Sequence, residues 1–357
     1  MNIGFVVHDY DIREGHGRYA VELVTRLAID HDVTVYAASI VTPPPPAVTV
    51  IPVPAVRRPS YASIVTFPRG FARVRRRHDV VHVQGWSADE ADVVTAHIVL
   101  AAWRDAAARA GVRRGLGEQV LGPTVERRER DFYRRGSRYV IAPSRRVRAD
   151  LARWYGRESE VSVIPHAFPA PTVDGRLPAR RALGLPDEAF VALYAGDARK
   201  GLDVAIDALI DGDAVRLAVV TRTPIDRYRR RARAAGVEER VHWIGPLADL
   251  GPAYAAADVL LHPTIYDAFG LVVVEAMAAG VVPIVSAEAG ATELFGPDAG
   301  LVVPRTASSC RAALVDLSRN RDRLARLSAG SRAAAAGRTW DDVARETTVL
   351  YERVAAS

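Results

Sequence analysis

At 357 residues, with 49% hydrophobic and 25% charged side chains, the chain has the length of about two domains and the balance of a folded globular protein, which excludes a disordered or fibrous one. Cys310 is the single cysteine, so an internal disulfide and a cysteine-rich zinc site are excluded, and with no apolar run of ~18 residues and no export signal the cytoplasm is the expected compartment. The net charge of +6 names no partner, because Lys200 is the only lysine among the basic residues and alanine is frequent, a pattern that a GC-rich genome writes without help from function.

Short β-branched runs alternate with helix-length amphipathic segments throughout, which reads as an α/β protein built from βαβ units on two doubly wound parallel sheets. The first strand, NIGFVV, runs into HDYDIREGHGRYAVEL, where Gly15 and Gly17 open an amphipathic helix. Small residues there let a backbone approach a phosphate, or they merely make the turn; the spacing is not GxGxxG, so a dinucleotide cofactor is disfavoured. DVTVYAA and VTVIPV follow, with Pro43 to Pro46 between them as a stiff surface loop. After the basic helix GFARVRRRH come DVVHVQG and DVVTAHIV, and His97 falls near the carboxyl end of the latter, where open α/β sheets bind ligands. A second arginine-rich stretch, ERRERDFYRRGSRYVIAPSRRVRADLARW, leads through RYVIAPS to VSVIPHA. Both basic stretches suit either a solvated surface or peripheral contact with anionic lipid, and the solvated reading is preferred.

The Pro- and Gly-bearing stretch from Pro165 to Pro186 reads as an interdomain connection, with the boundary near Phe168, giving domains 1–167 and 168–338. Strands expected beyond it are FVALYAG, VRLAVVT, RVHWIGP, VLLHPT, VPIVSA and AGLVVP. In AGDARKGLDVAIDAL, Arg199 and Lys200 sit in a strand-to-helix turn, where two cations and backbone N–H groups suit a diphosphate; an exposed surface pair is the alternative. LHPTIYDAFGLVVVEAMAAGVVPIV places Glu275 in a helix apolar on nearly every face, so the carboxylate is buried and needs a partner, either ribose hydroxyls or an internal arginine. Asp267 lies in the loop entering that helix and faces the other end of such a ligand. His8, His82, His166 and His262 also lie near strand ends without an HExxH-type set, so no metal site is expected. Residues 339–357, opened by Thr339 as N-cap, read as a terminal helix packing back on the first domain.

In AGDARKG, RVHWIGPL, AAADVLLHPTIYDAFGLVVVEAMAAGVVPIV and AGATELF, taken in that order and spacing, the chain resembles the family-4 retaining glycosyltransferases of the GT-B fold, among them bacterial lipopolysaccharide-core glucosyltransferases and actinobacterial mycothiol and phosphoinositol mannoside enzymes. The resemblance covers nearly the whole chain. It implies two Rossmann-like domains facing across a cleft and transfer of a hexose from a nucleotide diphosphate sugar, UDP before GDP, to a hydroxyl acceptor, with no metal, cofactor or nucleic acid. It further implies that Glu275 binds the ribose and that Asp267 with the backbone of Ala268, Phe269, Gly270 and Leu271 holds sugar and phosphates. Arg199, Lys200 and Arg222 would meet the pyrophosphate, Gly15 would offer its backbone, Gly245 to Leu247 would frame the base, and His97 would bond a sugar hydroxyl. The chain departs from the family at Asp267, where glutamate is commoner, at Glu14 in EGHGRY, and at IPHAF in place of IPNG. Two other readings stand beside this one: a nucleotide-sugar or anionic-lipid binding protein without turnover, and an NAD-dependent oxidoreductase or epimerase, which lacks its glycine fingerprint.

Overall fold

The computed structural model describes residues 1–13, 15–56, 60–112, 115–167, 175–210 and 214–356. They form two compact units, Met1–His166 with Trp340–Ser357, and Ala167–Thr339. Phe168 and Glu14 lie outside the described residues.

In the first unit the order is β1 (Asn2–Tyr10), α1 (Gly15–Asp30), β2 (Asp32–Ile40), β3 (Thr49–Pro52), α2 (Ser60–Val74), β4 (Val80–Gln84), β5 (Ala91–Thr95), α3 (Leu100–Arg109), α4 (Leu116–Asp131), β6 (Ser137–Ala142), α5 (Arg145–Asp150) and β7 (Val161–Val163). All strand pairs are parallel, in the order β3-β2-β1-β4-β5-β6-β7. The central strands are buried on both faces, which is why β1 and β4 are written as nearly unbroken apolar runs. Against them lies α1, whose Tyr19, Ala20, Leu23, Val24 and Leu27 repeat at helical spacing and are buried.

The second unit runs α6 (Arg176–Ala182), β8 (Phe190–Ala195), α7 (Leu202–Asp207), β9 (Val215–Val220), α8 (Asp226–Ala234), β10 (Val241–Trp243), α9 (Gly251–Ala256), β11 (Val259–His262), α10 (Leu271–Ala279), β12 (Val282–Val285), β13 (Leu301–Val302), α11 (Ala307–Arg319) and α12 (Arg321–Ala336). Its sheet, also parallel, is ordered β10-β9-β8-β11-β12-β13. In both sheets the winding reverses once, between β1 and β4 and between β8 and β11. In an open α/β sheet the carboxyl ends of the strands at such a reversal are the usual ligand position.

One expectation needs correction. The RLP of the supposed connection opens α6, which is fastened to the second unit. Asp258, with no side-chain exposure, pairs with Arg176, with Arg180 at 3.0 Å and with Arg321 at 3.3 Å. It also accepts from the Val191 backbone at 2.8 Å. Arg180 is itself buried and donates to the Ala256 carbonyl. An arginine in a proline-rich stretch reads as linker until its partner, far along the chain, is known.

The terminal helix α13 (Trp340–Ala355) returns to the first unit, burying Val343, Thr347, Leu350, Tyr351 and Val354 at helical spacing. Asp341 pairs with Arg26 of α1. The Tyr351 hydroxyl lies 2.6 Å from Nδ1 of His82, whose Nε2 is 2.8 Å from the Thr95 hydroxyl. Burial pushes His82 down to about 3, so this ring is a neutral strut inside the sheet.

Candidate functional site

At the carboxyl end of β8, Asp197 caps the turn Ala198–Lys200 by accepting from the Arg199 backbone N–H at 2.9 Å. The Arg199 guanidinium folds onto the same carboxylate, Nη2 to Oδ2 at 2.7 Å. Thr223, beyond β9, donates to Asp197 at 3.2 Å and accepts from the Ala198 N–H at 3.1 Å, which ties the two loops together. Burial alone would raise the Asp197 carboxyl, but the contacts with Arg199 outweigh it and hold the group below its usual range. Arg199 is thus ion-paired within its own turn.

Lys200 points elsewhere. Its Nζ lies 3.0 Å from Oδ2 of Asp267, beyond β11, and Nε2 of His262, the last residue of β11, lies 3.2 Å from the same oxygen. The approach of the two loops requires Gly201: its φ is +140°, and a Cβ there would stand 2.1 Å from the Pro263 carbonyl oxygen. The Asp267 backbone is fixed as well, donating to Glu288 O and accepting from Gly290 N, both at 3.0 Å. Burial would raise this carboxyl, yet the Lys200 ammonium and the His262 hydrogen bond overcome that and keep it well below the ordinary carboxylate range. Lys200 and Asp267 thus flank the reversal of the second sheet.

From Asp267 the chain runs through Ala268, Phe269 and Gly270 into α10. Gly270, at φ +97°, is the N-cap; no side chain caps the helix and no acidic residue occupies its first turn. First-turn N–H groups have no partner inside a helix, so this end suits an anion. One turn further, Glu275 is 5% exposed, and its Oε2 accepts from the Tyr254 hydroxyl of α9 at 2.8 Å. A phenol, which the sequence reading did not name, supplies the internal hydrogen bond.

Arg222 follows β9 and is exposed; Gly245 follows β10 at φ +85°. Leu247 packs on the apolar cluster that includes Tyr254, Phe269 and Met277. Because β8, β9, β10 and β11 are parallel neighbours, all these loops share one edge of the sheet.

In the first unit Gly15 is the first residue of α1, beside the β1 end of the reversal. A Cβ on Gly17 would stand 2.2 Å from the Asp11 carbonyl oxygen, so close packing of the turn already demands this glycine. His97 lies just past β5, with Nε2 2.6 Å from Oε1 of Gln84 at the end of β4. An amide oxygen only accepts, so Nε2 carries the proton and Nδ1 is left as an acceptor. Burial, with help from His16, holds His97 well below the usual histidine range, so the ring is neutral near pH 7. His16 stacks on it at 4.4 Å and Tyr19 meets it edge-on at 5.1 Å. Sequence reasoning did not name His16.

Among the described residues no group of three or more histidine, cysteine or acidic side chains is arranged to hold a metal ion. Among them, too, no helix is long and apolar enough to cross a membrane.

Residues 13–169 match the sequence model of Glycosyltransferase Family 4, and residues 176–334 that of Glycosyl transferases group 1. The chain is 28% identical over 399 aligned positions to a D-inositol 3-phosphate glycosyltransferase of Streptomyces bingchenggensis, covering 94% of this chain and 84% of that one. Among solved structures it resembles WaaG, a glycosyltransferase involved in lipopolysaccharide biosynthesis, with a TM-score of 0.82 at 20% identity over 98% of this chain and 99% of the other. Anabaena HepE in complex with UDP-glucose gives a TM-score of 0.76 at 17% identity, over 100% of both chains. With a glycosyltransferase domain matched in each half and two parallel Rossmann-like sheets, the chain belongs to the family-4 glycosyltransferases of the GT-B fold.

Proposed function

We propose that this glycosyltransferase moves a hexose-type sugar from a nucleotide diphosphate donor, UDP-linked in preference to GDP-linked, to a hydroxyl acceptor with retention at the anomeric carbon, using neither a cofactor nor a resident metal. The observation that carries the reading is the meeting of Lys200, Asp267 and the uncapped start of α10 at the reversal of the second sheet. A diphosphate suits this edge because Lys200 has N–H groups beyond the one given to Asp267, and because Arg199 and Arg222 stand on adjoining loops. Preference for UDP is supported by the UDP-glucose complex of a protein of the same fold.

In this reading the bond from the anomeric carbon to the β-phosphate oxygen breaks, and its electron pair leaves with the nucleoside diphosphate. The acceptor oxygen attacks from the same face, and its proton passes to the departing phosphate. Lys200 and the first-turn N–H groups of α10 stabilise the charge that grows on that phosphate. Glu275, steadied by Tyr254, accepts from the ribose hydroxyls; Gly245 to Leu247 border the base; Asp267 accepts from a hydroxyl of the sugar, and so does His97 through Nδ1. Gly15 contributes its backbone N–H. Arg127, Arg128, Arg134 and Arg135, exposed on and just after α4, support peripheral contact with anionic lipid as a further part of the proposal.

Incubating the purified protein with a panel of UDP- and GDP-sugars, and following hydrolysis or transfer by mass spectrometry, tests the donor. NMR of the product's anomeric proton tests retention. Inversion overturns the stereochemical part, and inertness towards every nucleotide sugar overturns the whole.

A further inference from the structure

Asp267 is held by two side chains that differ in what a bound donor does to them. Lys200 is 29% exposed and can turn to a diphosphate. His262 cannot turn. It is 3% exposed, pairs in register with Val285, and its carbonyl oxygen accepts from Thr264 N at 2.8 Å and Ser286 N at 3.4 Å, so its backbone is fixed on both sides.

Its hydrogen bonding is one-sided. Nε2 lies 3.2 Å from Oδ2 of Asp267, while Nδ1 is buried with no partner among the described residues. A carboxylate oxygen only accepts, so Nε2 donates to Asp267. A side chain placed there for packing alone would be leucine, like Leu260 and Leu261 before it, because burying an imidazole nitrogen unpaired costs free energy. Among the described residues Asp267 is the only hydrogen-bond partner of the ring that offsets that cost. Both bonds to the carboxylate, from Lys200 and from His262, end on Oδ2, which leaves Oδ1 without a hydrogen bond among the described residues.

We propose that His262 is a positioning residue: once the donor diphosphate has drawn Lys200 away, it alone keeps Oδ2 anchored so that Oδ1 stays presented to a hydroxyl of the donor sugar. The inference rests on the donor reading above. In the empty protein the carboxylate has two holders; in the loaded protein it depends on the histidine, so the loss of His262 is felt where the sugar is.

The test compares His262→Leu with His262→Gln, whose amide N–H reaches the place of Nε2. His262→Leu lowers turnover of the nucleotide sugar by roughly ten- to a hundredfold, the effect of losing one hydrogen bond to a charged group, while the affinity for UDP alone, which carries no sugar, stays within about twofold. His262→Gln recovers most of the loss. In an Asp267→Asn background His262→Leu costs at most about threefold more, because the group it positions is already gone. Equal cost in both backgrounds, or a matching fall in UDP affinity, overturns the proposal in favour of a packing role. Should His262→Leu fail to fold, unchanged behaviour of His262→Gln with a cost that persists in His262→Asn decides for positioning, and equal activity of wild type and both polar variants decides against it. A wild-type protein that binds no nucleoside diphosphate overturns the donor reading itself, and this role with it.

Discussion

Replacing Lys200 by alanine perturbs the contact on which most of the account depends. At 3.0 Å from Asp267 the ammonium contributes a Coulomb attraction of about 5 kcal/mol at an effective dielectric of 20. Lys200 keeps 29% of its side-chain surface in water and Asp267 15%, so screening and desolvation reduce the net contribution to on the order of 1–2 kcal/mol. That lowers the melting temperature of the second unit by a few degrees. The sign with pH follows from Asp267. Its folded pKa is depressed, so its stabilisation is present above the unfolded carboxylate value of about 4 and is lost as the pH falls below it. The wild-type advantage in melting temperature over Lys200→Ala is therefore widest at neutral pH and narrows below about pH 4. Turnover falls much further than stability, by about two to three orders of magnitude, because the charge acts on a phosphate that becomes more negative in the transition state. Steady-state kinetics beside differential scanning calorimetry separates the two effects. Turnover within threefold of wild type refutes the electrostatic argument.

Glu275→Gln keeps an oxygen for Tyr254 but removes the charge, so the fold is retained while donor affinity drops about tenfold; calorimetric titration with a nucleotide sugar checks it, and Tyr254→Phe weakens affinity only a few-fold. Gly201→Ala drives a Cβ into the Pro263 carbonyl at a φ of +140°, so it destabilises by about 2 kcal/mol or more and costs activity by parting Lys200 from Asp267; a melting scan and an activity assay should fall together. Glu129 is buried, accepts from the Tyr155 hydroxyl and the Leu100 N–H, and is pushed by burial up to about 7. Its folded pKa exceeds the unfolded one, so the folded state holds the proton longer and this group's contribution declines as pH rises from about 4.5 to 7. Glu129→Gln flattens that decline in denaturant melts, and an unchanged slope speaks against the assignment.

The strands were legible because buried parallel strands are written as continuous apolar runs, and each run named from β1 to β13 forms one. Lys200 stood out as the only lysine, and Asp267 and Glu275 as acids at fixed spacing around an apolar helix. Partners were harder to read. Lys200 and Asp267 are 67 positions apart, and only the order of strands in the second sheet makes their loops neighbours. Tyr254 reaches Glu275 for the same reason, from another helix. Asp197 was overlooked although it is two residues from Arg199, because a turn's capping geometry, unlike a period of 3.6 or 2, leaves no repeating mark. His262 looked like one of several histidines near strand ends until its nitrogen was found on the carboxylate.

The central claim is that the carboxyl edge of the second sheet grips a nucleoside diphosphate. Isothermal titration of the intact protein with UDP and with GDP is the most direct measurement of it. The account predicts one-to-one association with at least one of them, weakened at least tenfold in Lys200→Ala; no heat of binding with either, or equal binding by the variant, contradicts it.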